Sequence, residues 1–284
     1  MIPHSRRNVL RAVGASGLGL AGVAGTASAT CQPEPAGQRY EVQVFVTDAL
    51  YEHCAQQYGD GFRARDRAET WIEGAFDQVN QEVTVLSTNE VIPAPAEIIR
   101  GSDAVCVQNP CGSTTTCYPS VLQWWRDYAC QLESPLAADS NVLLTAALST
   151  AGNRLLSGGR AYRGGNMAVA YTGRAAADAG ETYSEIVSAP NAGANGMHTV
   201  LHELGHTLQM TNGEAGATHG NDGYDVHNVG GATTASGGFV PTTAVSPLAD
   251  PTASTSECGC GIGDRDAFLM RWTGCSISYW GDAR

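Results

Sequence analysis

Three residues in one short stretch have the types and the spacing of a metal-dependent hydrolytic centre. The segment His202-Glu203-Leu204-Gly205-His206 is an H-E-x-x-H pattern. Residues four apart lie on the same face of a helix, one turn above each other. His202 and His206 can therefore offer two imidazole nitrogens to one metal ion, usually zinc. Glu203 projects beside the pair, where its carboxylate can take a proton from a zinc-activated water.

The sequence around this pattern predicts the helix that the metal pair requires. Apolar residues recur at the spacing of a buried helical stripe: Met197, Val200, Leu201, Leu204 and Leu208. We expect a helix over residues 196–210, with Asn195 as its N-cap and Asn212-Gly213 as its stop. An ordinary amphipathic helix that happens to carry two histidines four residues apart is the alternative interpretation.

Further strands and helices are predicted on both sides of this helix. The strands are Tyr40–Val46, Val83–Leu86, Asn141–Thr145 and Met167–Tyr171, and the helices are residues 63–80, Val121–Leu132 and Asp264–Trp272. Residues 211–256 are rich in Gly, Thr, Ser and Pro and show little periodicity. Because strands and helices intermix without a linker, we predict an α/β (α+β) class with a single domain over residues 40–284.

The first 29 residues resemble an export signal. Arg6-Arg7 is followed by a run of small, weakly apolar residues and then by Ala27-Ser28-Ala29, a cleavage motif. We predict a twin-arginine signal peptide over residues 1–29, a short leader over residues 30–39 and secretion of the rest. Lipid anchoring through Cys31 is an alternative. No transmembrane segment is expected in the mature chain.

The mature chain is acidic and contains no lysine. All 16 basic residues are arginine, and three of them precede the cleavage site, which leaves 13 arginines against 28 acidic residues. The formal charge of the mature chain is therefore −15. Such a surface resembles that of proteins from halophilic archaea, where salt screens the repulsion between carboxylates. It argues against nucleic acid as a partner, and we expect a monomer.

Nine cysteines in an exported chain predict disulfides before metal ligands. They are Cys31, Cys54, Cys106, Cys111, Cys117, Cys130, Cys258, Cys260 and Cys275. None of them forms the C-x-x-C pair of a structural zinc site. We expect disulfides of open connectivity, with Cys31 as the unpaired residue.

The order of these segments resembles the catalytic domain of the metzincin zinc peptidases, closest to their reprolysin (adamalysin-like, matrixin-related) branch. The matching segments are residues 138–145, 184–188, 197–210 and the Cys-Ser-containing end at 272–279. The resemblance implies a zincin domain with a twisted, mostly parallel five-stranded sheet, an active-site helix and a disulfide-stapled C-terminal subdomain. It also implies an extended peptide substrate paired with an edge strand, for which Met167–Tyr171 is the match.

The chain departs from the family pattern after His206. The family motif H-E-x-x-H-x-x-G-x-x-H would place glycine and a third ligand where this chain has Gln209 and Asn212. We expect the helix to continue past Gln209 and the third ligand to be His219. The alternatives are His227, Asp222 and Asp225.

The family also places a methionine in a turn beneath the metal. Residues 245–249 resemble that turn but offer Leu248, and Met270 is the alternative. His198 lies one helical turn before His202, where we expect a supporting or exposed side chain.

The resemblance implies a secreted zinc metalloendopeptidase that hydrolyses peptide or protein substrates. His202, His206 and His219 would hold zinc, Glu203 would be the general base, and a requirement for calcium is left open. One alternative is a catalytically degenerate, exported metzincin-like binding protein. Another is a zincin of a different branch with an aspartate as third ligand.

Overall fold

The computed structural model describes residues 39–95, 105–137, 139–146, 159–161, 166–188, 191–208, 244–245, 247 and 267–272. Several sequence predictions lie outside these ranges: the signal peptide, Cys31, Gln209, Asn212, His219, Asp222, Asp225, His227, Leu248, Cys258, Cys260 and Cys275. Within the ranges, no helix has both the length and the apolar composition that a bilayer crossing requires.

The described residues form ten strands and four α-helices. In chain order they are β1 (Arg39–Thr47), α1 (Asp48–Tyr58), α2 (Arg63–Gln78), β2 (Glu82–Ile92), β3 (Val105–Gln108), β4 (Thr115–Tyr118), α3 (Val121–Tyr128), β5 (Ser140–Leu144), β6 (Gly159–Ala161), β7 (Met167–Ala170), β8 (Ile186–Ser188), α4 (Ala192–Leu208), β9 (Ala244–Val245) and β10 (Ala267–Leu269). Short 3-10 helices cover Ala129–Gln131 and Arg174–Asp178.

The main sheet has the strand order β2-β1-β5-β7-β6. The first four strands are mutually parallel, and β6 runs antiparallel to β7. The described residues of β5 and β7 are buried throughout, as expected for parallel strands covered on both faces. The predicted mixed α/β class with a mostly parallel sheet is therefore confirmed.

Two apolar layers cover the main sheet. On one face, alternate residues of β1 (Tyr40, Val42 and Val44) pack with the buried stripes of α2 and α4. On the other face, Phe45 packs edge-on against Trp125 of α3, with ring centroids 5.0 Å apart. The period-2 alternation of β1 thus divides the core into two clusters.

The prediction that Met167–Tyr171 forms the sheet edge is wrong. The corresponding strand β7 is hydrogen-bonded on both sides, to β5 and to β6. The strand at this edge of the described sheet is β6, which turns back antiparallel to β7. With three residues, one of them glycine, β6 is too short to show a periodic pattern in the sequence.

The helix predicted over Asp264–Trp272 is also wrong, because Ala267–Leu269 is strand β10. It pairs antiparallel with β8 and parallel with β9, which makes a small three-stranded sheet. A short apolar run fits either a helix or a strand, and here pairing with distant segments decides between them. Met270 follows β10 in the core, where its backbone N–H donates to the Glu185 carbonyl at 2.7 Å.

Four cysteines form two disulfides in the middle of the chain. Cys106–Cys117 joins β3 to β4, and Cys111–Cys130 joins this hairpin to the turn after α3. Disulfide formation by these four residues is as expected. Cys54, also expected in a disulfide, is instead a free thiol buried within α1, and burial raises its pKa. It lies in the apolar core because it occupies the inward face of that helix.

Replacement of Phe45 by alanine should destabilise the fold by about 3–5 kcal/mol, because it removes a fully buried ring from the layer against α3. Denaturant unfolding at fixed salt concentration measures this loss. Gln56→Ala, on the exposed face of α1, should change the stability by less than about 0.5 kcal/mol. Equal stabilities of the two variants would contradict the assigned packing of β1.

Candidate metal centre

Helix α4 carries the H-E-x-x-H pattern and begins one turn earlier than predicted. The Asn191 side-chain oxygen accepts a hydrogen bond from the Ala194 N–H at 2.9 Å, as an N-cap does. Asn195, the predicted N-cap, lies inside the helix, and its N–H donates to the Asn191 carbonyl at 2.9 Å. The described helix ends at Leu208. The predicted stop at Asn212-Gly213 lies outside the described residues.

The apolar stripe of α4 faces the core, as predicted. Met197, Val200, Leu201 and Leu204 are buried in the cluster that also covers the main sheet. At its beginning, α4 lies against the 3-10 helix Arg174–Asp178. A Cβ atom on Gly193 would lie 2.8 Å from the Ala175 carbonyl oxygen, so only glycine allows this approach. The buried stripe and the close contact at Gly193 together set the direction in which the histidine-bearing face of the helix points.

The His202 and His206 imidazoles converge at the far end of α4. Their Nε2 atoms are 3.1 Å apart, and the two rings are inclined at 85°. Two nitrogens bound to one tetrahedral zinc ion at about 2.0–2.1 Å lie about 3.3 Å from each other. The pair is therefore spaced for a single zinc ion.

A backbone carbonyl orients the His202 ring. The Pro247 carbonyl oxygen lies 2.6 Å from His202 Nδ1. Because a carbonyl can only accept, Nδ1 must carry the proton of this hydrogen bond. In the neutral imidazole the lone pair is then on Nε2, the atom that faces His206. Such a partner fixes both the tautomer and the orientation of a metal-ligating histidine.

The segment that follows strand β9 of the small sheet supplies this carbonyl. Pro247 follows β9 by two residues and is buried. The sequence segment 245–249, expected beneath the metal, thus contacts His202 through Pro247. Leu248 lies outside the described residues, and Met270 is held beside β8 by the Tyr183 hydroxyl, which donates to the Met270 carbonyl at 3.2 Å.

Glu203 lies beside the histidine pair and is almost completely buried. Its side-chain oxygen Oε1 is 4.0 Å from His202 Nε2. At this separation one water molecule can contact both the carboxylate oxygen and the imidazole nitrogen. The arrangement places a proton acceptor next to the nitrogen that would bind the metal.

His198 faces the small sheet. Its ring stacks on Phe268 of β10, with centroids 4.5 Å apart and planes inclined at 22°. Since the His202 ring contacts Pro247, two successive turns of α4 face the small sheet and the segment that follows its strand β9.

In the described part of the chain, no group of three His, Cys, Asp or Glu side chains comes together as a metal site. The two imidazoles form a pair, and the Glu203 carboxylate lies beside it without completing a ligand set. The proposed third ligand, His219, and its alternatives lie outside the described residues.

Three other residues at this centre were not predicted from the sequence: Pro247, Ser140 and Thr207. Every residue has a backbone carbonyl, so the residue type at position 247 does not show that its carbonyl accepts a hydrogen bond from His202. Ser140 and Thr207 share a buried hydrogen bond at 2.6 Å. In the sequence, Ser140 is a hydroxyl residue beside an apolar strand and Thr207 is one within a helix. Many surface residues have the same pattern, so it does not indicate a buried hydrogen bond.

Two crystal structures of archaemetzincins are similar to part of this chain. The structure from Methanopyrus kandleri is 15% identical, covers 66% of this chain and 86% of its own, and has a TM-score of 0.34. The structure from Archaeoglobus fulgidus, complexed with malonate, is 15% identical, covers 62% and 83%, and has a TM-score of 0.25. No protein-family model and no curated protein sequence matches the chain. Neither likeness is close enough to establish a shared fold.

The tautomer of His202 is directly testable. Nitrogen NMR of the full chain at a pH where the ring is neutral should show His202 with its proton on Nδ1, because the Pro247 carbonyl accepts it. The resonance is assigned by its loss in His202→Gln, with His198→Gln as the matched control on the same helix. A neutral His202 that is protonated on Nε2 would contradict the geometry.

Proposed function

We propose that this chain is a secreted, zinc-dependent endopeptidase. The observation that carries the proposal is the pair of imidazole Nε2 atoms at 3.1 Å with the buried Glu203 carboxylate beside it. An ordinary amphipathic helix has no need for a buried carboxylate next to two converging histidines, because removing a carboxylate from water is costly.

The chemistry of the donor set fits zinc. His202 and His206 offer imidazole nitrogens at a suitable separation. The hydrogen bond from His202 Nδ1 leaves the lone pair of Nε2 to bind the metal. When bound, zinc would act as a Lewis acid that lowers the pKa of a water molecule and polarises a carbonyl group.

Glu203 moves the proton in the proposed reaction. Its carboxylate takes a proton from the attacking water as the water oxygen bonds to the scissile carbonyl carbon. It then gives that proton to the leaving amine nitrogen as the carbon–nitrogen bond breaks. One carboxylate therefore serves as base and then as acid, and water is the only co-reactant.

The substrate is proposed to be an extended peptide that adds to the exposed edge of the main sheet. Within the described residues the edge strands are β2 and β6. We choose β6 because it takes the edge position expected of its neighbour β7, which is paired on both sides. In strand addition, the backbone N–H and C=O groups of the edge strand form hydrogen bonds with those of the peptide. These bonds hold the peptide in register whatever most of its side chains are.

The rest of the proposal follows from the sequence. His219 is proposed as the third zinc ligand, and residues 1–29 as a twin-arginine export signal. The acidic, lysine-free composition supports activity at high salt concentration. It also supports a monomeric state and argues against a nucleic-acid partner. Two disulfides in the described chain are compatible with an oxidising compartment.

Replacement of Glu203 by glutamine tests the proton transfer. The amide keeps the size of the side chain but cannot accept the proton, so cleavage of labelled casein at high salt should fall by roughly 10²–10⁴-fold. Zinc content measured by elemental analysis should stay at the parental level. Glu52→Gln, at an exposed position on α1, is the matched control and should keep the parental rate.

A casein cleavage rate in Glu203→Gln equal to that of the parent would disprove this mechanism. A parent chain that binds zinc but cleaves no peptide would instead support the binding-protein alternative, which the departures at Gln209 and Asn212 motivate.

The identity of the third ligand has a separate test. Alanine at His219 should lower zinc content and affinity, as should alanine at His202 or His206, because each change removes a nitrogen donor. Parallel variants at His227, Asp222 and Asp225 should keep zinc at the parental level. Loss of zinc in Asp222→Ala or Asp225→Ala, with retention in His219→Ala, would favour the zincin branch that has an aspartate ligand.

A further inference from the structure

A buried pair of hydroxyl groups connects helix α4 to the central sheet. The Ser140 Oγ atom, at the first residue of β5, lies 2.6 Å from Thr207 Oγ1. Thr207 Oγ1 in turn lies 2.8 Å from the Leu204 carbonyl oxygen. Ser140 is completely inaccessible to solvent, and Thr207 is 7% exposed.

The direction of these hydrogen bonds follows from the chemistry of the groups. A carbonyl oxygen only accepts, so the single hydroxyl proton of Thr207 is donated to Leu204. The Ser140 hydroxyl must then donate to Thr207. The result is a directed chain of two hydrogen bonds from the strand, through Thr207, to the helix backbone. Removal of either hydroxyl breaks the connection.

Ser140 is a rigid anchor because the start of β5 is fixed by another buried side chain. The Asn141 side-chain oxygen accepts from the Ala137 N–H at 2.8 Å, and its amide group donates to the Ala137 and Asn166 carbonyls at 2.9 Å each. Ser140 itself pairs with Val42 of β1. The strand side of the hydroxyl pair is therefore held from several directions.

The helix side of the pair lies in the turn that carries the metal ligands. Leu204 lies between His202 and His206, and Thr207 is the next residue after His206. This is the last turn of the described helix. The Thr207 hydroxyl bonds back to a carbonyl of its own turn, so its link to Ser140 attaches that turn to the strand.

We propose that Ser140 and Thr207 are positioning residues that hold the His206 turn at the metal-binding distance from His202. This inference rests on the proposed zinc site. The His202 ring is oriented by the small sheet through Pro247, whereas the His206 turn is tethered to the main sheet. Contacts with two different parts of the fold thus set the orientation of the His202 ring and the position of the His206 turn, while the helix sets the four-residue spacing of the pair.

Zinc affinity of the full-length secreted chain tests this role, measured by competition with a chromophoric chelator. Thr207→Val and Ser140→Ala should each weaken zinc binding by roughly tenfold, the lower end of the range for groups that orient metal ligands. The double variant should be no weaker than either single variant, since both break the same connection. Thr207→Ser keeps the hydroxyl and should restore nearly parental affinity.

Thr199→Val is the matched control. Thr199 is also buried in α4, three residues before His202, and its hydroxyl donates to the Asn195 carbonyl at 3.1 Å. A general loss of helix stability would weaken zinc binding in both threonine variants, whereas the positioning role affects only Thr207→Val. Circular dichroism of each variant verifies that it is folded, and Ser140→Ala tests the same bond from the strand if Thr207→Val does not fold.

The outcomes separate the inference from the proposed function. Parental zinc affinity in folded Thr207→Val and Ser140→Ala, with zinc binding lost in His206→Ala, would overturn only the positioning role. Equal weakening in Thr199→Val would overturn it as well. A parent chain that binds no zinc, or that binds it equally well as His206→Ala, would overturn the proposed site and the inference with it.

Discussion

The packing of helix α4 against two sheets is the contact on which the candidate site depends. The apolar stripe of the helix is buried in the same core cluster as alternate residues of β1, β5 and β7. Through His198 and His202 the helix also contacts the small sheet and the buried Pro247 that follows β9. Burial of apolar surface holds the helix against the sheet. Because this interaction is non-directional, it does not fix the exact rotation of the helix about its axis. The polar contacts at its far end supply the finer positioning.

The small sheet is itself fastened to the core by specific contacts. Tyr183, just before β8, lies over Gly74 of α2, where a Cβ atom would collide with the ring. Burial raises the pKa of this tyrosine, so its hydroxyl stays protonated and donates to the Met270 carbonyl. Arg271 pairs with Glu185 at 2.5 Å beside the same strands. A displacement of the small sheet would therefore move the Pro247 carbonyl and, with it, the His202 ring.

Much of the fold was predictable from periodicity, and the failures have common causes. The alternation in β1 and the stripe of α2 were recognised because both segments are long, with nine and 16 residues. The edge strand β6 and the C-terminal strand β10 have three residues each, so they carry too little pattern to be assigned. Their conformation depends on pairing with segments far away in the chain. Cys54 could not be distinguished from a disulfide cysteine, because sequence does not show whether a partner thiol lies within reach.

The sequence by itself determined the chemistry available at the centre: two histidines four residues apart, a glutamate between them and an apolar stripe that requires a helix. These features are local, and helix geometry converts their spacing directly into proximity. The tertiary structure decided which nitrogen of His202 faces the pair and what anchors the turn of His206. Both depend on a carbonyl at Pro247 and a hydroxyl at Ser140, which are 45 and 67 residues from their partners. Only the folded chain brings such groups within hydrogen-bonding distance.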